Sequence, residues 1–209
     1  MPTTEGRTPP ARASWAPQAL AALRALALLT VVLGIAYPLL VTGIAKVALP
    51  GRADGSLLTR DGTVVGSSLL GQSFSDPQGK PLPQWFQPRP SAAGDGYDAA
   101  SSSASNLGPE NPDLLRAVEE RRAAAAAADG TAPADVPPDA LTASGSGLDP
   151  DISPEYARQQ VARVARARGL DPAVVRRLVD AHVTGRTLGF LGEPHVRVLE
   201  LNLALARLR

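Results

Sequence analysis

No cysteine occurs among the 209 residues, which removes disulfides, thiolate metal sites and thiol nucleophiles together. Histidine is nearly as scarce. His182 and His195 are the only two, neither sits in a ligand-spaced motif, and a zinc site would need carboxylate help that no pattern supplies. Aromatics amount to 4%, so leucine, valine and alanine must build any core. Charge of one sign is also missing: 21 basic against 20 acidic residues leave a net +1. So balanced a chain projects no global field toward nucleic acid or an anionic surface. The phosphate-cradling pattern Gly-x-x-x-x-Gly-Lys-Ser/Thr is absent too.

What the chain does have is one long apolar run. Ala25 to Ala45 carries no formal charge and is bounded by Arg24 and Lys46. A helix over those residues spans about 32 Å, enough for a hydrocarbon core of about 30 Å. Apolar residues surround the whole helix, with no polar stripe. A buried core helix and a cleaved signal peptide are the alternatives. The run is too long for a signal's apolar region, and Ala45-Lys46-Val47 makes a poor cleavage site. The run is read as a membrane anchor over 19–48. Pro38 deletes one helical hydrogen bond and is expected to kink or loosen the helix about one turn earlier. Gly34 and Gly43, with Tyr37 and Thr42, form a candidate packing surface for a partner helix. Positive charge does not orient the span, because Arg7, Arg12 and Arg24 before it match Lys46, Arg52 and Arg60 after it.

Residues 1–18 hold four prolines and no periodicity and read as a disordered tail. Residues 49–209 read as one small α/β (α+β) domain with helices packed on a sheet. Leu57–Arg60 and Thr63–Gly66 about Asp61-Gly62 spell a hairpin. Residues 71–110, rich in Gly, Pro, Ser, Asp and Asn, read as a structured loop or an interaction surface, with Trp85 and Phe86 pinning it to the domain or, alternatively, meeting a partner. Three helix starts share a capping side chain followed by proline: Asn111-Pro112, Ser153-Pro154 and Asp171-Pro172. The first helix runs to Asp129-Gly130, the second to Gly169 and the third to near Gly185, with His182 at the margin of a packed face. The arginines at 158, 163, 166, 168, 176 and 177 read as a solvated face. Val196–Leu201 alternates at its start like a strand.

Catalytic constellations are missing from this pattern. Gly145-Ser146-Gly147 reads as a structural turn leading through Leu148-Asp149-Pro150 to the Ser153 cap. Ser144 and Ser146 could act as nucleophiles only with a histidine base that nothing in the spacing provides, and Thr142 breaks the Gly-x-Ser-x-Gly elbow. Glu119 and Glu120 are neighbours that face different directions on a helix. From the residues alone the chain is expected to be non-enzymatic, a membrane-anchored hydrolase or binding module being the alternatives, with no cofactor and lipid as its one evident environment.

Several stretches do match a family pattern in order: Tyr37–Ala45, then Gly66–Phe74 with Gln72 and Phe74, Arg89-Pro90-Ser91-Ala92, and Ser105-Asn106-Leu107-Gly108-Pro109. Thr142–Pro150 follows, with Ser144, Gly145, Ser146, Gly147 and Asp149, and then Gly189–Pro194 and Val198–Asn202. On these the chain resembles the C subunit of the Kdp-type potassium-transporting ATPase. The resemblance implies a complex with a channel-like potassium-binding subunit, a P-type ATPase and a small single-span subunit, driving high-affinity potassium uptake. It implies a catalytic chaperone that raises the pump's affinity for ATP, with ATP itself as a ligand of the ternary complex. It also implies a cell-membrane protein with its N-terminus cytoplasmic and its domain extracytoplasmic. Two places depart from the family pattern. The Ser-Gly-Gly-Ser-Asn stretch reads Ser102-Ser103-Ala104-Ser105-Asn106 here, and an aromatic-His element is replaced by Trp85-Phe86-Gln87-Pro88.

Overall fold

A computed structural model describes residues 15–208. The chain divides between Asp54 and Gly55 into two units. The first unit is one uninterrupted helix over Trp15–Ala48, followed by a single turn, Pro50–Ala53 (α3). The long helix is regular over Trp15–Leu29 (α1) and Tyr37–Ala48 (α2). Between them Thr30–Ala36 winds as a π-helix. This is the loosening expected one turn before Pro38: the wider turn makes room for the proline ring, which would otherwise press on the carbonyl four residues back. No residue of this helix is buried, and it is long and apolar enough to cross a membrane. Helix already begins at Trp15, so Trp15–Gln18 belong with it rather than with a tail; the rest of the expected tail lies outside the described residues.

The second unit opens on the hairpin Leu57–Arg60 (β1) and Thr63–Ser67 (β2), paired antiparallel. Asp61 and Gly62 both take positive φ, 51° and 78°, as a tight two-residue turn with the right twist requires. A bulge at Val65 shifts the register between Leu58 and Thr59. A long irregular segment follows. The helices then come as Pro112–Asp129 (α4), Pro154–Gln159 (α5), Val161–Arg168 (α6), Pro172–Ala181 (α7) and Val198–Leu205 (α8). A three-stranded antiparallel sheet, in the order β3-β5-β4, is made from Asp151–Ile152 (β3), Val183–Thr184 (β4) and His195–Arg197 (β5). Long apolar helix, further helices and two small sheets make a mixed α/β architecture.

All three proline-led caps form. Asn111 accepts from the Asp113 N–H, Ser153 from Tyr156 and Asp171 from Ala173, each satisfying a donor that the helix itself cannot. Three expectations change. The helix from Ser153 breaks at Gln160, whose fully buried side chain is spent on the loop. The third helix stops at Ala181, and Val183–Thr184 leaves as a strand. Beyond Arg197 the strand expected to reach Leu201 becomes helix α8. Leucines at alternate positions mimic a strand there, but Val198, Leu201, Asn202 and Leu205, spaced for one helical face, are buried together with Leu199.

The core joins Val161, Val164, Val175, Val179, Val196, Leu201 and Leu205 around Phe86, all buried. One basic residue expected in solvent lies inside it instead. Arg163 pairs with Asp129 at 2.7 Å, with side-chain exposures of 10% and 3%, and donates to the Pro83 and Trp85 carbonyls and to Gln160. Arg168 stacks 4.8 Å over the Trp85 ring. Removing one partner of a buried, fully bonded ion pair strands the other charge. Asp129→Ala is therefore expected to cost about 3–5 kcal/mol of folding stability, read by urea unfolding of the detergent-solubilised chain. Asp113→Ala, at an exposed helical pair, should change it by less than about 0.5 kcal/mol.

Candidate functional site: a hub of converging loops

Segments far apart in sequence meet at the turn Ser144–Asp149. Ser144 is buried, and its hydroxyl accepts from the Gly147 N–H at 2.8 Å. The Ser146 hydroxyl accepts from Leu148 at 3.1 Å. Gly147 sits at φ 68°, and a Cβ there would come 2.7 Å from both the Ala93 nitrogen and the Ser103 oxygen. Only glycine permits that approach. Gly145 carries no such constraint, with nothing within 4 Å.

The Arg-Pro-Ser motif closes over this turn. The Ser91 hydroxyl donates to the Gly147 carbonyl at 2.6 Å and accepts from the Ala93 and Tyr97 amides. Arg89 donates to Asp149 at 2.8 Å and reaches the Thr142 carbonyl at 3.3 Å. The pair is about three-quarters buried, where a charge-assisted bond is worth more than on an open surface. Tyr97 donates to the Arg89 carbonyl at 2.7 Å. Burial, reinforced by the Asp149 charge, pushes its phenol well above the usual tyrosine range, so the hydroxyl remains a donor. Asp149 also accepts from the Asp151 amide. From the other side Gly71 donates to the Leu148 carbonyl at 2.8 Å, and a side chain on Gly71 would run into the Asp149 carbonyl and the Tyr97 ring.

Other expected site residues lie around this hub. Gln72 packs where a Cβ on Gly66 would stand, 2.9 Å from its Oε1. Phe74 meets Trp85 with ring centroids 6.1 Å apart. Pro90 is half-buried between Arg89 and Ser91. Ser105 and Asn106 are not drawn in: both are exposed. It is Ser102 and Ser103 that bind, through the hydroxyl of one and the amide of the other, to the Ser146 carbonyl. Gly34, Tyr37, Pro38, Thr42 and Gly43 lie on the separate apolar helix, exposed. Sequence reasoning missed Tyr97 and Gln160, and it gave no structural role to Gln87 or Asn202. Asn202 exchanges two bonds with the Phe86 backbone, and Gln160 does the same with Gln87. A lone polar residue inside an apolar helical pattern was the one available signal.

The polar groups of the hub bond to backbone groups and to one another, bracing its loops. Both candidate nucleophiles spend their oxygens on backbone amides. Both histidines are committed elsewhere: His182 Nδ1 lies 2.8 Å from the Leu178 carbonyl, and His195 Nδ1 lies 3.0 Å from that of Glu193. His195 Nε2 lies 3.8 Å from Asp151. Burial raises the Asp151 pKa, which His195 partly offsets. Within the Ser102–Asn106 stretch the Ser103 amide is given to the Ser146 carbonyl and is not free to cradle a phosphate. The stretch borders neither of the two large cavities. One, of about 680 Å³, lies between the loop and α4; its Arg89, Arg121 and Arg163 are bonded to protein groups, whereas Lys80 and Arg166 line it with no such side-chain bond among the described residues. The other, of about 890 Å³, counts six carboxylates among its fifteen lining residues, against Arg89 and His195, a balance that disfavours phosphate.

Comparison with known proteins bears on the same residues. The family model described as K+-transporting ATPase, c chain, matches residues 19–207. A potassium-transporting ATPase KdpC subunit of Kineococcus radiotolerans is 64% identical over 90% of this chain and 92% of its own. The subunit of that name from Streptomyces coelicolor is 51% identical, covering 90% and 91%. That of Mycobacterium tuberculosis is 52% identical, covering 91% and 98%.

The two motif glycines separate cleanly in energetic terms. Gly147→Ala is expected to lose about 2–4 kcal/mol, combining left-handed strain with a backbone clash. Gly145→Ala should lie within about 0.5 kcal/mol of the parent. Thermal unfolding followed by circular dichroism distinguishes the outcomes.

Proposed function

This chain belongs to the family of K+-transporting ATPase c chains, and on that basis we propose that it is a non-catalytic, single-span subunit of an ATP-driven potassium uptake complex. The observation that carries the reading is the use made of the motif loops. Every candidate nucleophile and charged motif group in the hub is consumed in holding loops together, which builds a rigid surface rather than a reaction centre. An anchor attached to such a domain serves assembly. The helix packs against the channel-like subunit, and the domain sits outside the membrane over that subunit's outer mouth. The N-terminus is then cytoplasmic.

Raised ATP affinity of the P-type pump subunit, implied by the family resemblance, is transmitted through the shared complex. An extracytoplasmic domain has no access to cytoplasmic nucleotide, and the Ser103 amide of the Ser102–Asn106 stretch is already given to Ser146. The coupling is a free-energy linkage between subunits, so the pump's nucleotide state and this subunit's docking must influence each other equally. The small single-span subunit completes the assembly.

Removing this subunit while the others remain expressed is expected to abolish growth and potassium uptake at micromolar external potassium; undiminished uptake overturns the proposal. Protease added to intact spheroplasts should cut the 71–110 segment from outside, whereas cleavage only after lysis reverses the topology. A serine-reactive probe is expected to leave Ser144 and Ser146 unlabelled.

A further inference from the structure

The π segment leaves a hydrogen-bonding deficit that the helix does not repair. Its last wide turn bonds the Tyr37 N–H to the Val32 carbonyl, five residues back and its one acceptor. In α register that N–H would have served Leu33. In π register the donor for Leu33 would be residue 38, but Pro38 carries no N–H. The Leu33 carbonyl has thus lost both of its helical donors. Val31 through Ala36 have no polar side chain to replace them.

The position makes the deficit matter. Along the helix from Trp15 to Ala48, Leu33 lies about 27 Å from one end and about 22 Å from the other. In a bilayer that depth holds no water, and acyl chains offer no donor. The next residue is Gly34, where a Cβ would meet only Thr30 Cγ2 at 3.8 Å, so the surface beside the carbonyl is open to a close approach. The nearest charged residues, Arg24 and Lys46, are far along the helix and both basic. Nothing here compensates a cationic donor, and a neutral one suffices.

We propose that the Leu33 carbonyl, reached across Gly34, accepts a hydrogen bond from a hydroxyl- or amide-bearing side chain on a membrane helix of a partner subunit. This rests on the membrane-subunit reading above. Pro38 thereby does more than bend the anchor. It uncovers an acceptor at mid-membrane, and the contact made there fixes the rotation and depth at which the anchor docks.

The test uses the full subunit, with a 13C=18O carbonyl placed at Leu33 alone by nonsense suppression with labelled leucine. Its infrared band is compared between the lipid-reconstituted subunit and the complete complex. A shift to lower frequency on assembly is expected, with no shift for the same label at Val32, whose carbonyl already holds the Tyr37 N–H. The inference is overturned by an unshifted Leu33 band in a complex that has formed. A band already at the bonded position in the isolated subunit at high dilution also overturns it, and a shift that follows that subunit's own concentration assigns the contact to a second copy instead. If no complex forms, the subunit reading itself fails and this inference falls with it. Gly34→Leu provides an independent arm, because a side chain there has room within its own helix. Recovery of the complex should fall about three- to tenfold with membrane insertion unchanged; unaltered recovery overturns the inference.

Discussion

The second unit depends on one constraint: the backbone of its long irregular segment must find hydrogen-bond partners without a strand or helix of its own. Buried amides and carbonyls left unpaired are costly. The chain meets the demand with side chains from distant elements. Asn202 on α8 takes both backbone groups of Phe86, Gln160 those of Gln87, and Arg163 the carbonyls of Pro83 and Trp85. Phe86, fully buried, is held at the centre of the core by polar contacts as much as by apolar ones.

The same demand explains the hub. Ser91, Ser144 and Ser146 each hold a backbone group of the Ala143–Leu148 turn or its neighbours, and the Arg89–Asp149 pair ties the two motif loops. Motif residues that look chemically rich are therefore consumed in cross-bracing. The break at Gln160 belongs to the same design: α5 and α6 give up continuity where a glutamine turns inward to serve the loop. Gln87 serves the loop through its own side chain as well. Its side-chain amide donates to the Phe74 and Leu82 carbonyls at 3.0 and 2.9 Å, a task that needs a donor and no titration.

In the apolar helix the rule applies with a different outcome. Where Pro38 withdraws a donor and the π segment skips an acceptor, there is no loop or side chain to answer. The unmet carbonyl becomes a feature of the surface rather than a defect of the core. The two units thus meet the same backbone chemistry in different ways: the second answers it from within the chain, and the apolar helix leaves a carbonyl unanswered.

Local rules sufficed for the apolar helix, the Asp61-Gly62 hairpin and the three proline-led caps, because each depends on residues within a turn of one another. The disturbance before Pro38 was legible for the same reason. Tertiary structure alone decided the fate of residues 198–205, where alternating leucines satisfy a strand period and a helical one equally until burial selects the face containing Leu201 and Leu205. It alone decided that Arg163 would be buried, since Asp129 lies on another helix, and that Tyr97 would close on Arg89. The family motifs could be found as strings, but not that Arg89, Ser91, Gly71 and Gly147 meet while Ser105 and Asn106 stay outside. Contacts between distant segments depend on packing geometry, which neither spacing nor composition records.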